Sequence, residues 1–501
     1  MSNHAQVLGS AETKIPTHLF IGGKAVAGEG ARFNVINPGT EEPVAEIAGA
    51  SGAQVEAAIS AARRAYDTGV WSSLPAAERA EVLRKLLTYL EGRRDWLTNL
   101  VLREGGCPIS SGTMFAQVRG PLQQGRDLID LFLKLPEFEE NPLPLAERIT
   151  FRGGAIQSVR RYVPLGVVAA ISAYNAPFYI NLWKVLPALI AGNCMILRPS
   201  PFTPLSALIF GEAAEAAGIP PGVLNIIAEA GAEGGVTMST HPDVDMVAFT
   251  GSSAIGRQLM AQASGTMKRL QLELGGKSAQ IYLPDSLPEA RAAAAQVCLA
   301  HAGQGCVLGT RIFVPEAEKS RVLEAMAATL SNVVIGDPAD PKTTLGPVIS
   351  AAQRDRCQRF VDLAVKAGAK VICGGKRPSV PAKGFFFEPT ILDVPDNRNP
   401  AAQEEIFGPV VCVIGYRDLD HAVEMANDSA YGLSGHVYGR DLKQAVAVAA
   451  RLRTGTVNIN GSIFSAYTSA GGWRLSGLGR ERGVEGLRIY QHIQCMNIQG
   501  I

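Results

Sequence analysis

Leu165-Gly-Val-Val-Ala-Ala-Ile-Ser172 is a continuous apolar run, the pattern of a strand buried on both faces. Cys194-Met-Ile-Leu197, Val223-Leu-Asn-Ile-Ile227 and Met246-Val-Ala-Phe249 read the same way, and helical stretches such as 203–217 lie between them. Strand, helix, strand, helix over this region predicts a parallel, doubly wound sheet in an α/β protein. Upstream, Leu83, Leu86, Leu87, Leu90, Leu97, Leu100 and Val101 fall at three-and-four spacing, which predicts one long surface helix over 76–104. Downstream the alternation resumes after Leu274. A helix around 290–301, the strand Arg311-Ile-Phe-Val314 and helices at 319–330 and 351–367 predict a second α/β domain beginning near Glu273. The stretch from Glu147-Arg-Ile-Thr-Phe-Arg152 through Ser158-Val-Arg-Arg-Tyr162 partly alternates apolar and polar residues, as in a β-hairpin leaving the body of the protein.

With 501 residues the chain is long enough for two or three domains. Its 47% hydrophobic and 19% charged residues describe a compact globular protein. The net charge of +1 offers neither nucleic acid nor an anionic membrane an electrostatic partner. Cys107, Cys194, Cys298, Cys306, Cys357, Cys373, Cys412 and Cys495 contain no C-x-x-C pair and do not read as a disulfide framework, which points to a reducing, cytoplasmic location. Polar Ser2, Asn3, His4, Glu12 and Lys14 leave no apolar core for a secretory signal. The most hydrophobic stretch, 163–197, is interrupted by Asn175, Pro177, Asn181, Lys184, Pro187 and Asn193, so no membrane span is expected.

Four short motifs could carry chemistry. Phe249-Thr-Gly-Ser-Ser-Ala-Ile-Gly256 is a strand that turns through Gly251 into a helix near Ser253, and a helix N-terminus of this kind suits a pyrophosphate. It is neither a G-x-G-x-x-G fingerprint nor a Walker A loop, since Arg257 and Gln258 stand where Lys and Ser/Thr are needed. Leu272-Glu-Leu-Gly-Gly-Lys277 places a carboxylate before two glycines. Gly303-Gln-Gly-Cys-Val-Leu-Gly-Thr-Arg311 sets a cysteine in a Gly-rich turn, and Tyr174-Asn-Ala-Pro177 follows a buried strand. Each alone is as readily a turn, a solvated loop or a buried thiol.

Together they resemble the aldehyde dehydrogenase superfamily of the NAD(P)-dependent, hydrolytic type. The resemblance runs nearly end to end. It also takes in Phe33-Asn-Val-Ile-Asn-Pro38, Glu404-Glu-Ile-Phe-Gly-Pro409, Ala426-Asn-Asp-Ser-Ala-Tyr-Gly-Leu433 and Ser476-Gly-Leu-Gly-Arg480. The resemblance implies a Rossmann-type cofactor domain at 1–141 and 163–271, an α/β catalytic domain at 272–486 and a β oligomerisation arm at 142–162 and 487–501. It implies a homodimer or homotetramer, an aldehyde substrate and NAD as cofactor. Cys306 would be the nucleophile, passing through a thiohemiacetal and a thioester. Asn175 would donate to the oxyanion together with the Cys306 backbone N–H, Glu273 would act as base on the hydrolytic water, and Lys184 would assist. A free thiol has a pKa of ~8.5, so Cys306 needs a nearby base or a positive environment. For the cofactor, the resemblance points to Arg198, Ser200, Gly251, Ser252, Ser253, Gly256, Leu274, Glu405 and Phe407. Ala176, Trp183, Gly305 and Val307 would line the aldehyde pocket.

The chain departs from the family pattern in three places. Arg198-Pro-Ser-Pro201 stands where Lys-Pro-Ser-Glu is usual; losing that carboxylate opens the way to NADP. Ala176 and Ser469-Ala-Gly-Gly472 each replace an aromatic near the substrate, which suggests a hydrophobic aldehyde, aromatic, terpenoid or long-chain. Two rivals share the fold. A CoA-acylating enzyme is opposed by Glu273, and a non-catalytic scaffold has no need of Asn175, Glu273 and Cys306 together. There is no G-x-S-x-G or H-E-x-x-H, and the seven histidines show no metal-ligand spacing, so no metal is expected.

Overall fold

A computed structural model of the chain describes residues 14–149, 153–461 and 465–499. Residues 1–13, on which the expectation of no secretory signal falls, part of the expected hairpin at 150–152, residues 462–464 and the last two residues of the tail lie outside the described residues.

Two large sheets organise the molecule. The first has eight strands in the order Gly477–Leu478, Arg269–Glu273, Met246–Thr250, Val167–Ile171, Cys194–Arg198, Leu224–Ile226, Leu19–Ile21 and Lys24–Val26. Its middle five are parallel. From Val167–Ile171 the chain steps outward twice on one side, then returns to add Met246–Thr250 and Arg269–Glu273 on the other. The strand order therefore reverses between Val167–Ile171 and Met246–Thr250, where doubly wound sheets open a ligand crevice at their carboxyl ends. All five residues of Val167–Ile171 are buried, as a strand covered on both faces requires. Antiparallel edges close the sheet, and Gly477–Leu478 brings the C-terminal segment alongside Glu273.

The second sheet has seven strands in the order Lys370–Cys373, Thr390–Asp393, Val410–Tyr416, Arg311–Pro315, Ala279–Tyr282, Ser434–Tyr438 and Thr456–Ile459. All pairs are parallel except the first. Separate apolar clusters pack on its two faces.

The structure differs from the sequence pattern in three elements. The expected helix over 76–104 is two helices, Ala76–Gly92 and Arg94–Gly105, broken where Arg93 leaves helical geometry at φ −108°, ψ 13°. Gly92 is the local signal for the break, and the leucine period continues across it because both helices feed one core. The helix around 290–301 is three pieces, Leu287–Ala290, Ala293–Cys298 and a 3-10 turn at His301–Gly303. Among the described residues the hairpin is present only as an antiparallel bridge between Ile149 and Ala155, with the Ile156 N–H donating to the Arg148 carbonyl at 2.8 Å. Leu145–Glu147 is a 3-10 turn, and Ile156–Pro164 pairs with Gln491–Gln499 over nine positions and with Phe138–Glu140 on its other side. Alternation identified a strand but carries no information about its partner.

A long-range cap ties the first domain together. Helix Leu205–Ala217 has no side-chain cap of its own. The fully buried carboxylate of Glu104 accepts from the N–H groups of Leu205 (2.9 Å) and Ser206 (3.0 Å) instead. Among the described residues no helix is long and apolar enough to cross a membrane, and no group of His, Cys, Asp and Glu could hold a metal ion.

Candidate active site

Three neighbouring strands of the first sheet deliver the site. Asn175 follows Val167–Ile171, Gly251 follows Met246–Thr250, and Glu273 ends Arg269–Glu273. The Gly251 N–H donates to the Glu273 carbonyl at 3.0 Å, joining two of these ends. Helix Ser253–Ala263 begins here. Exposed Ser252 is its N-cap, accepting from the Ile255 N–H at 3.4 Å. The Ser253 hydroxyl donates to the Leu475 carbonyl at 2.6 Å, so it tethers the C-terminal segment rather than facing a ligand directly. A Cβ on Gly256 would stand 2.7 Å from Leu274, which explains the glycine as a close-packing requirement. Leu274 is itself held by its N–H on the Ser476 carbonyl at 3.0 Å. A capped helix with its first N–H groups pointing past a small turn fits a dinucleotide pyrophosphate.

The chain reaches Cys306 through His301, Ala302 and Gly303, all left-handed at φ 50°, 52° and 71°. Buried Gln304 fixes this turn. Its side chain donates to the His301 carbonyl (3.2 Å) and accepts from the Ile349 N–H (2.9 Å). Its carbonyl accepts from Asn175 Nδ2 at 2.9 Å. Asn175 and the cysteine loop are therefore locked together two residues from the thiol, and the amide retains a second N–H for another acceptor. Sequence reasoning passed over Gln304.

The thiol is not activated at rest. Burial, then the charges of Glu405 and Glu273, push Cys306 up to about 12, against a backbone hydrogen bond that lowers it. A free thiol so placed still needs the nearby base or positive environment expected from the sequence. Glu273 is displaced too. Burial and the Glu481 charge raise it to about 8, against Lys184, Arg480 and Arg482. Its Oε1 is buried without a hydrogen-bond partner among the described residues. Gly471, at φ 147°, lies so close that a Cβ would sit 3.0 Å from that oxygen.

Lys184 is fully buried rather than solvated. Its Nζ donates to Glu481 Oε1 at 2.9 Å and to Gln271 Oε1 at 3.3 Å. Gln271 also accepts from the Tyr490 hydroxyl at 3.0 Å. Glu481 directly follows the Ser476–Arg480 motif, and only its neighbours drew attention from the sequence.

On the second sheet's side, Glu405 Oε1 accepts from the Gly276 N–H at 2.9 Å. A Cβ on Gly275 would meet its Oε2 at 2.3 Å, so the paired glycines of the Leu272–Lys277 motif make room for Glu405. Phe407, at φ 60°, packs edge-to-face on Tyr174 at 5.9 Å, and its carbonyl accepts from Gln353 at 2.7 Å. Arg198, expected among the cofactor residues, is in a buried ion pair with Glu229 at 2.5 Å. Ser200 is a turn residue whose hydroxyl accepts from the Phe202 N–H at 3.4 Å.

Of the expected pocket residues, half-buried Ala176 starts helix Pro177–Ile190. Trp183, on that helix, is buried with its Nε1 unbonded, edge-to-face on Tyr179 at 5.8 Å. Tyr179, missed from sequence, lies within the fields of Arg482, Glu481, Cys306 and Glu273, and burial raises its hydroxyl. Gly305 packs on Leu308, where a Cβ would be 2.8 Å from Cγ. Val307 is 48% exposed, and its carbonyl accepts from His436 at 3.1 Å.

A model of the aldehyde dehydrogenase family matches residues 25–496. Geranial dehydrogenase from Castellaniella defragrans is 37% identical over 96% of this chain and 99% of its own length. Among solved structures, a point mutant of betaine aldehyde dehydrogenase from Staphylococcus aureus, with NAD+ and a BME-modified cysteine, is 33% identical. It covers 97% of this chain and 98% of its own at a TM-score of 0.92. A mutant of aldehyde dehydrogenase C from Pseudomonas syringae, with NAD+ and octanal, is 35% identical over 97% and 98% at a TM-score of 0.89.

Proposed function

Because the chain belongs to the aldehyde dehydrogenase family and oxidises aldehydes with NAD+, we propose that Cys306 captures the aldehyde carbon and Glu273 releases the product as a carboxylic acid. The observation that carries this assignment is the Asn175 Nδ2 bond to the Gln304 carbonyl, which fixes an amide donor beside the cysteine loop. Once the thiol has given its proton to solvent, attack by sulfur forms the S–C bond, opens the C=O π bond and places negative charge on the former carbonyl oxygen. The second Asn175 N–H and the Cys306 backbone N–H stabilise it, and losing such a donor costs ~10²–10³ in rate. Bound NAD+ supplies the hydride acceptor and a positive nicotinamide, which opposes the carboxylates that hold the thiol up. Gly251, Ser252, Gly256 and Leu274 shape the pyrophosphate end, and Glu405 and Phe407 hold the nicotinamide end. Glu273 then takes a proton from the water that attacks the thioester. The Lys184–Glu481 pair tunes Glu273 from behind.

The substrate we assign is a hydrophobic aldehyde. Ala176 is small, Tyr179 and Trp183 are aromatic, and relatives act on geranial or have been crystallised with octanal. We place the cofactor domain on the first sheet, the catalytic domain on the second and the oligomerisation arm on the third, in a cytoplasmic homodimer or homotetramer.

The test is turnover of purified protein on an aldehyde panel with each nicotinamide, with product identified as free acid. The expected result is fastest turnover on aromatic, terpenoid or long-chain aldehydes. Acetaldehyde outperforming all of them overturns the substrate class. Acyl-CoA as product, with no free acid, overturns the role of Glu273.

A further inference from the structure

We infer that Glu229 makes this site select NAD+ over NADP+, by pairing with Arg198 and placing a buried carboxylate where a 2′-phosphate would have to bind. The inference rests on the cofactor reading above.

In doubly wound folds an acidic side chain at the end of the strand beside the crevice takes the ribose 2′-hydroxyl, whereas an arginine there accommodates a 2′-phosphate. Arg198 ends Cys194–Arg198, which pairs in register with Val167–Ile171, the strand that borders the reversal point. With Pro201 three positions on, the sequence pattern leaves NADP possible beside NAD. The surroundings of Arg198 argue against it.

Glu229 comes from the loop after Leu224–Ile226 and is 6% exposed. Its Oε1 accepts from Arg198 Nε at 2.5 Å and from the Gly235 N–H at 3.1 Å, and its Oε2 accepts from the Gly234 N–H at 2.8 Å. A second arginine nitrogen, Nη2, donates to the Gly231 carbonyl at 2.5 Å. Two consequences follow. The Arg198 charge is already neutralised and its fork immobilised, so it cannot serve a phosphate without breaking a buried pair. The backbone N–H groups opening helix Glu233–Thr240, the other natural anion ligands here, are also taken by the same carboxylate. A phosphate entering would meet Glu229 at short range in a poorly screened setting, and this repulsion outweighs any single hydrogen bond it could gain. A ribose hydroxyl carries no such charge.

The experiment titrates NADH and NADPH into wild-type protein, Glu229→Gln and Arg198→Gln without aldehyde, following nucleotide fluorescence, with melting curves confirming folding. Wild type should bind NADPH at least about tenfold more weakly than NADH, and Glu229→Gln should narrow that gap on the order of tenfold because Arg198 is freed. Arg198→Gln, which keeps the carboxylate, should not narrow it. Equal affinities in wild type, an unchanged ratio in folded Glu229→Gln, or a narrowed gap in Arg198→Gln each overturn the inference. If Glu229→Gln does not fold, the other two proteins still decide. Failure to bind either nucleotide overturns the dehydrogenase assignment instead, so the two failures are distinguishable.

Discussion

Lys184 Nζ donates to Glu481 Oε1 across 2.9 Å, with the lysine side chain entirely out of solvent and the glutamate nearly so. A buried charge of this kind persists because it is paired, and here the pair sits in the field of Glu273. Glu273 is held protonated well above the usual carboxylate range by burial and by the negative Glu481. Its base form, and with it thioester hydrolysis, should therefore grow in as pH rises towards about 8. Glu481→Gln removes the charge that raises Glu273 and leaves Lys184 as an uncompensated cation that lowers it. Both changes have the same sign. The rising limb of the steady-state pH profile should move to lower pH, on the order of one unit. A limb that stays in place or moves up would show that the two carboxylates do not communicate.

Replacing Glu273 by Gln separates the two halves of the reaction. The amide cannot take a proton from water, so hydrolysis should slow ~10²–10⁴-fold. Capture of the aldehyde and hydride loss should survive, because Cys306 and the Asn175–Gln304 bond are untouched. Rapid mixing should then show a first-turnover burst of NADH followed by a nearly flat line. Loss of the burst would mean that Glu273 serves an earlier step.

The legible parts of this protein are local ones. Val167–Ile171 and its parallel neighbours announce themselves as apolar runs, because burial on both faces leaves no other composition. Asn175, Glu273 and Cys306 stand in short motifs, and the glycines beside Glu273 and Cys306 are needed within a few residues. Partners far apart in the chain left no such trace. Lys184 and Glu481 are 297 positions apart. Gln304 looked like a filler between glycines, yet it bonds across to Asn175. Arg198 was read for what it lacks at Pro201, while its true partner lies in the loop beyond the next strand. The arm strand was visible by alternation, but its pairing with the tail depends on folding of everything between them.

The glycine at 275 offers a test of the nicotinamide end that leaves the cysteine alone. A Cβ there would stand 2.3 Å from Glu405 Oε2 and 2.8 Å from its Cδ. The side chain must swing away, giving up its bond from the Gly276 N–H. Gly275→Ala should raise the KM for NAD+ about tenfold or more, with a smaller effect on the KM for aldehyde. Equal effects on both would place Glu405 outside the cofactor site.

Assembly should depend on the outer edge of the third sheet. Gln491–Gln499 is the terminal strand in the order Gln491–Gln499, Ile156–Pro164, Phe138–Glu140, so one row of its backbone N–H and C=O groups pairs with no other strand among the described residues. Ile493 and Ile498 on it are 63% and 51% exposed. A nine-residue free edge carrying exposed isoleucines invites strand addition or aggregation unless another subunit covers it. The double substitution Ile493→Lys with Ile498→Lys puts charge on that strand while leaving its pairing with Ile156–Pro164 intact, since exposed side chains do not set the ladder. Light scattering should find wild type as a dimer or tetramer and the variant shifted to smaller species, with far-UV dichroism unchanged. A wild type that stays monomeric at micromolar concentration would remove the arm from any role in assembly, because an edge this long should then have been blunted by charge or proline within the strand itself.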